Sequence, residues 1–284
     1  MTAAALVPGG AVLDALAGAR EIAFSAYTLR PDGTVARALE AAADRGAAVA
    51  VTLEAFADRP ADDGLRAQTG SVAAQLRDHG VHVRLGVPNG DVVHLKAAVV
   101  DGEAFLDDRN WTSAGDTIVR VVDPVEVAAV RAAIDGRTGA PGGVATEKAA
   151  ALDLEAATIR DGGDRIDVAS ESFGASAVSK AIRERATAGA HVRLLVNARI
   201  ARSAHADRER AVLHRLANAG VEIRLTPDTE KLCTAGDRGW VGSANATFDA
   251  VRTTDWGVSI RDDRDIATLH ATFEREWGSA RPFA

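Results

Sequence analysis

A duplicated α/β fold is predicted by three observations. Strand-like and helix-like segments alternate along the 284 residues, the same order of segments is written twice, and a Gly- and Pro-rich stretch separates the copies. In the first copy, residues 21–29 (EIAFSAYTL) form an apolar, β-prone run. The following segment, TVARALEAAADRG, places Val35, Leu39 and Ala42 at helical spacing and stops at Gly46. A strand AAVAVTLEAF, a helix GSVAAQLRDHG and a strand VHVRL come next. The second copy runs DRIDVASESF (strand, 164–173), AVSKAIRERATAG (helix), AHVRLLVNA (strand), AVLHRLANAG (helix) and VEIRL (strand). LRDHGVHVRL and LANAGVEIRL match almost position for position. Alternation of this kind predicts parallel strand order with helices layered on the sheet. The expected organisation is a first lobe at 1–134, a linker at 135–150 and a second lobe at 151–284. The linker DGRTGAPGGVATEK lacks the Gly-Lys-Ser/Thr ending and the feeding strand of a phosphate loop.

Composition narrows the function classes. The chain is 47% hydrophobic and 26% charged, the balance of a globular protein. A net charge of −7 gives no overall attraction to nucleic acid or an anionic membrane, although a local basic groove is compatible with it. The single cysteine, Cys233, excludes an internal disulfide framework, and no Cys/His cluster suggests zinc. The N-terminal segment lacks the positive n-region of a signal peptide and is interrupted at Pro8, Gly9 and Gly10. No run approaches the length of a membrane span. A cytoplasmic protein without stable membrane insertion is the expectation.

The chemistry lies in one segment of each copy. HLKAAVVDGEAFLDDRNWT (94–112) aligns without gaps with TEKLCTAGDRGWVGSANAT (229–247). Lys96 matches Lys231 and Asn110 matches Asn245, whereas His94 faces Thr229 and Asp101 faces Gly236. Asp107, Asp108 and Arg109 stand over Gly242, Ser243 and Ala244. Residues two apart on a strand share a face, so His94 and Lys96 are expected to project together, as are Thr229 and Lys231. Packed about a pseudo-twofold axis, the two faces would meet over one pocket. Two lysines and two asparagines there would surround a phosphate with point charge and amide donors.

This pattern resembles the phospholipase D superfamily, whose signature is H-x-K-x4-D followed by G-S-x-N. The first motif keeps His94, Lys96, Asp101 and Asn110 but has Asp107-Asp108 for Gly-Ser. The second keeps Lys231, Gly242, Ser243 and Asn245 but has lost the histidine and the aspartate. The resemblance covers nearly the whole chain. It implies two fused phospholipase D-like α/β lobes related by pseudo-twofold symmetry, each with a central mixed, largely parallel sheet flanked by helices.

It also implies a metal-independent phosphodiesterase or phosphatidyl transferase with no cofactor, acting on a phospholipid or a nucleic acid. His94 would attack phosphorus to give a covalent phosphohistidine. Lys96 would belong to the catalytic set, and Asn110, Lys231, Ser243 and Asn245 would bind phosphate, while Asp101 is a structural member of its motif. A carboxylate holds the histidine in this family. Asp116, before a β-branched strand, is the expected partner, with Asp255 at the equivalent place in the second copy.

Thr229 cannot protonate a leaving oxygen as a second histidine would, a task worth about 10²–10⁴-fold. A good leaving group needs no acid, and Glu230, His205 or a water could substitute. The alternative is an impaired pseudoenzyme that binds a phosphodiester or nucleic acid without cleaving it. Asp108 would repel a phosphate unless it paired with Arg109 or turned outward. Arg199, Arg202, Arg208 and Arg210 form either a solvated loop or a lip that steers an anion. Trp111, Trp240 and Trp256 are expected to pack in the core, and base stacking is disfavoured at 4% aromatics. The other histidines are expected to be structural or exposed. A monomer is expected; a homodimer pairing two His94 residues is the other arrangement.

Overall fold

The structure is a computed structural model that describes residues 4–56, 62–111, 116–139, 142–199, 206–227, 229–247 and 253–283. The chain divides into two compact units. Unit 1 comprises Met1–Glu147 together with Val251–Trp256, and unit 2 comprises Lys148–Ala250 with Gly257–Ala284.

Unit 1 runs β1 (Ala4–Val7), α1 (Ala11–Gly18), β2 (Glu21–Ala26), α2 (Thr34–Asp44), β3 (Ala48–Leu53), α3 (Asp63–Asp78) and β4 (His82–Leu85). It continues with β5 (Val92–Val93), β6 (Ala97–Val100), β7 (Glu103–Asp107), β8 (Ile118–Val121), α4 (Pro124–Ile134) and β9 (Val144–Glu147). Its sheet has the order β1-β8-β7-β6-β2-β3-β4. The β2-β3 and β3-β4 pairs are parallel, while β6, β7, β8 and β1 join antiparallel.

Unit 2 contains α5 (Lys148–Asp161), β10 (Arg165–Ser170), α6 (Ala177–Thr187), β11 (His191–Asn197), α7 (Ala206–Ala217) and β12 (Glu222–Thr226). It then has β13 (Leu232–Ala235), β14 (Arg238–Gly242), the end of β15 (Thr253–Ile260), α8 (Asp263–Ser279) and β16 (Arg281–Pro282). Its sheet runs β16-β12-β11-β10-β13-β14, followed by residues 257–260 of β15. In this sheet the parallel pairs are β10-β11 and β11-β12. Both sheets are therefore mixed, but the parallel share is smaller than the alternating pattern suggests. The motif strands form hairpins, and a tight turn can join only antiparallel neighbours.

The repeated phrase found in the sequence is a helix stop. Val81 N–H bonds to Leu76 C=O and Val221 N–H to Leu216 C=O, with Gly80 (φ 81°) and Gly220 (φ 94°) in the left-handed turn between them. Only glycine adopts that backbone without strain, and the flanking Leu and Val are buried on each side of it. Helix α2 buries Val35, Ala36, Leu39, Glu40 and Ala42, the face its spacing predicts. Helix α6 is held by a capping box in which Ser176 and Ser179 exchange side-chain to backbone bonds.

The expected linker is more ordered than its composition suggests. Residues 144–147 form β9, and α5 begins at Lys148. VATE alternates buried and half-buried positions, which suits an extended edge segment. The second departure concerns residues 253–256, which group with unit 1 although they lie in the second half of the sequence.

Candidate active site

In unit 1 the histidine and lysine of the first motif lie between two strands instead of along one. β5 runs parallel to Thr253 and Thr254, and the next residues carry the chain over to β6, which pairs with β2. The His94 backbone N–H bonds to Thr254 C=O (3.1 Å), and the Ser25 hydroxyl donates to Leu95 C=O (3.0 Å). Glu54 fixes the approach from below, accepting Val93 N–H (2.7 Å) and Phe56 N–H (3.1 Å) on its two oxygens. The expected single strand is thus broken, because the backbone here changes pairing partners.

Both side chains nevertheless meet one ring. His94 packs edge-on against Tyr27, ring centroids 5.0 Å apart, and Lys96 Nζ lies 5.6 Å above the same ring. Lys96 is fully buried, a placement that costs several kcal/mol unless its charge is answered. The Tyr27 face answers part of it.

The partner of His94 is Asp255. His94 Nδ1 lies 2.7 Å from Asp255 Oδ1, and the Thr253 hydroxyl donates to Asp255 Oδ2 (2.5 Å). Burial alone would raise the Asp255 pKa; the charges of His94 and Lys96, with the bonds from His94 and Thr253, outweigh it and hold the carboxyl well below the usual range. A carboxylate on Nδ1 fixes the N–H there and leaves Nε2 with its lone pair. Asp116, the expected partner, instead meets Arg109 (Oδ1 to Nε 3.0 Å). The reason is topological: β5, just before His94, pairs with residues 253–254, whereas β8, which follows Asp116, pairs with β1 and β7.

Asp101 works at the other end of its hairpin. Its carboxylate accepts the backbone N–H groups of Arg20 (3.1 Å) and Glu21 (2.8 Å), which hold its pKa down. With φ 47° it also makes the turn between β6 and β7. Its role in the geometry is to tie the hairpin to the start of β2.

The Asp-Asp pair that replaces Gly-Ser is fully buried, so of the two arrangements expected for Asp108, pairing with Arg109 or turning outward, the outward one is excluded. Asp108 Oδ1 accepts Thr117 N–H (3.2 Å). Asp107 accepts the N–H groups of Arg109 (3.1 Å) and Trp111, bracketing Asn110. Burial, with Asp108 and Asp116 nearby, pushes the Asp107 pKa up to about 8. Burial and the neighbouring carboxylates thus favour a proton on Asp107, against the two backbone N–H bonds that favour its charge. Asn110 Oδ1 is buried without a hydrogen-bond partner among the described residues.

The second motif, in unit 2, is differently wired. Lys231, 1% exposed, lies 3.1 Å from Glu171 Oε2. Glu171 follows β10 directly, as Tyr27 follows β2. Thr229 donates its hydroxyl to Glu276 Oε2 (2.7 Å), so its proton is already committed. Glu230 and Ser243 are buried, and Asn245 Oδ1 has no hydrogen-bond partner among the described residues. His205 and Arg202 lie outside the described residues. Arg210 pairs with Asp207 on its own helix. Trp240 and Trp256 are buried, and Trp111 packs on Phe24 at 5.0 Å. His79 and His191 pair with Asp44 and Glu222 at the surface. Asp167, His270 and Glu274 stand close enough to share a cation. Arg193 already bonds both carboxylates (2.7 Å each), so the cluster is an ion-pair network.

Sequence reasoning singled out neither Glu171 nor the lead role of Asp255. Asp255 was visible as the counterpart of Asp116; Glu171 carried no signal beyond its place after a strand.

Fold and motif together define a class: a duplicated α/β protein whose intact motif is a histidine held by a buried carboxylate. The chain belongs to the phospholipase D-like family, since the family described as cardiolipin synthase, PLD-like domain, matches residues 12–135 and 156–277. No curated protein matches the sequence. Among solved structures, polyphosphate kinase from Porphyromonas gingivalis is similar at TM-score 0.64 and 15% identity, over 96% of this chain and 50% of that one. Phosphatidylserine synthase from Haemophilus influenzae is similar at TM-score 0.65 and 12% identity, over 99% of this chain and 87% of that one. The chain thus spans half the length of the kinase and most of the synthase, and at these identities the likeness is one of fold. No described helix is long and apolar enough to cross a membrane.

Proposed function

We propose that the chain is a phosphodiester-cleaving or phosphodiester-transferring enzyme in which His94 Nε2 is the nucleophile. The observation that carries this is the 2.7 Å contact between His94 Nδ1 and a fully buried, ionised Asp255. A nucleophile oriented by a general partner on its other nitrogen is the arrangement covalent catalysis needs. Nε2 forms a bond to phosphorus, the bond from phosphorus to the leaving oxygen breaks, and the departing alkoxide takes a proton. Water or a second alcohol then attacks phosphorus, the bond from phosphorus to Nε2 breaks with its electron pair returning to the ring, and the proton of the attacking hydroxyl passes to solvent. Asp255 stabilises the positive charge that the ring acquires.

Lys96, Asn110, Lys231, Ser243 and Asn245 are proposed as phosphate contacts. The proton for the leaving group is the weak point, because the Thr229 hydroxyl is bonded to Glu276. Esters with good leaving groups need no such proton and should be the best substrates. The substrate is proposed to be a phospholipid or a nucleic acid. Turnover of bis(p-nitrophenyl) phosphate by the wild type, lost in His94→Ala, supports the reading; equal turnover by His94→Ala refutes it.

A second reading, binding without cleavage, is favoured by Thr229, whose hydroxyl is bonded to Glu276 where a second histidine would protonate the leaving oxygen. It predicts no turnover of lipid, nucleotide or nucleic-acid diesters and phosphodiester binding unchanged by His94→Ala.

A further inference from the structure

Unit 1 holds a cavity of about 350 Å³ whose walls include Gly10, Leu13, Leu29, Val35, Asn110 and Trp111. That volume lies within the range of small-molecule sites, and its mostly apolar walls with a few polar groups match their usual make-up. Asn110 belongs to the first motif as well, so the cavity shares this residue with the set proposed to contact phosphate.

Three features describe the occupant. The charged groups on the cavity wall are answered in pairs, Arg30 by Asp32 at 2.9 Å and Asp116 by Arg109 at 3.0 Å. Little net charge is therefore offered to a ligand, so the wall holds no excess of positive charge for a phosphate placed inside. Leu13, Leu29, Val35 and Trp111 favour carbon. Asn110 Oδ1, buried and without a hydrogen-bond partner among the described residues, calls for an O–H or N–H donor.

We infer that this cavity receives an uncharged, hydroxyl-bearing organic portion of the phosphodiester, with the Asn110 amide standing between it and the phosphate. This rests on the phosphodiester reading above, and it adds where the rest of the substrate goes. Small amphipathic alcohols fit the cavity; a bare inorganic phosphate does not.

The test separates the two claims. Binding of 4-fluorobenzyl alcohol is followed by ¹⁹F NMR in the wild type, His94→Ala, Leu13→Trp and Thr34→Trp. Thr34 lies on the exposed rim of the cavity, so its substitution does not disturb the core if Leu13→Trp proves unfolded by circular dichroism. Binding by the wild type and His94→Ala, weakened about tenfold or more in the folded tryptophan variants, is expected. Loss of the single hydroxyl, with 4-fluorotoluene as probe, should also weaken binding about tenfold, the worth of one buried hydrogen bond. For benzyl p-nitrophenyl phosphate the tryptophan variants should raise KM by about tenfold while methyl p-nitrophenyl phosphate changes less than about twofold. Equal binding of the alcohol by wild type and tryptophan variants, or none by the wild type at millimolar concentration, overturns the inference. Alcohol binding without turnover of either diester leaves the cavity assignment standing and refutes the enzyme reading alone.

Discussion

Replacing Asp255 by Asn isolates the contact on which the catalytic proposal stands. The change keeps the shape of the side chain but removes the charge opposite His94 Nδ1 and the charge facing Lys96. A hydrogen bond to an ionised partner is worth about 1.5–3 kcal/mol, and about 1.4 kcal/mol is tenfold in rate. The bond alone therefore accounts for a loss of roughly 10- to 150-fold in kcat. An amide that turns its NH₂ toward Nδ1 also favours the tautomer with the proton on Nε2, which blocks the nucleophile. That effect takes Asp→Asn changes in comparable histidine systems to about 10⁴-fold. The expected result is a fall in kcat of about 10²- to 10⁴-fold for bis(p-nitrophenyl) phosphate, with KM changed much less. Stopped-flow measurement of p-nitrophenolate release separates the first chemical step from later ones. Asp116→Asn is the paired control: it unbalances Arg109 and lowers thermal stability, but per folded molecule it should leave the first step within about fivefold. If Asp116→Asn slows that step as much as Asp255→Asn, the assignment of the orienting carboxylate is refuted.

Three further outcomes are expected. Asp107 has a folded pKa raised to about 8, so it stabilises the protein fully below its unfolded value and loses that contribution as pH rises through 8. Urea unfolding should show stability falling by up to about 1.4 kcal/mol per pH unit toward pH 8, and Asp107→Asn should flatten that slope. Glu155 is buried in unit 2, with Oε1 lacking a hydrogen-bond partner among the described residues and its pKa raised by burial. Glu155→Gln should raise Tm more at pH 8 than at pH 5; an equal or opposite change would mean that Glu155 is ionised and paired. Glu171→Gln removes the carboxylate beside Lys231 and should tighten inorganic phosphate binding about three- to tenfold by calorimetry, while unchanged binding would take Lys231 out of the phosphate-contact set.

Much of this architecture was legible because it is written locally. The stop at Gly80 and its twin at Gly220 need one glycine and one flanking Leu/Val pair each, so the repeat showed in the sequence before any fold was known. His94, Lys96, Asp101 and Asn110 stood out for the same reason, lying at the turn of the β6-β7 hairpin or on the segments beside it. What escaped depends on distance along the chain. His94 and Asp255 are 161 positions apart, and nothing in either half says that residues 253–254 pair with β5 beside His94. The sequence offered Asp116 and Asp255 as equivalents, and proximity favoured the wrong one. Residues 144–147 read as linker because the neighbouring glycines dominate the composition, while the alternating burial of VATE emerges only in the folded chain. For Asp108 the outward arrangement stayed open beside pairing with Arg109, because a backbone donor such as the N–H of Thr117, which lets a carboxylate be buried, carries no residue signature.

The central claim is that His94 Nε2 attacks phosphorus while Asp255 holds Nδ1. Its most direct test is the position of the phosphoryl group in a rapidly quenched reaction of the ¹⁵N-histidine-labelled protein with bis(p-nitrophenyl) phosphate, mapped by mass spectrometry and by ³¹P–¹⁵N coupling. The account predicts acid-labile phosphate on His94 through Nε2, absent from His94→Ala. Phosphate on Nδ1, on another residue, or on no residue during demonstrated turnover would contradict it.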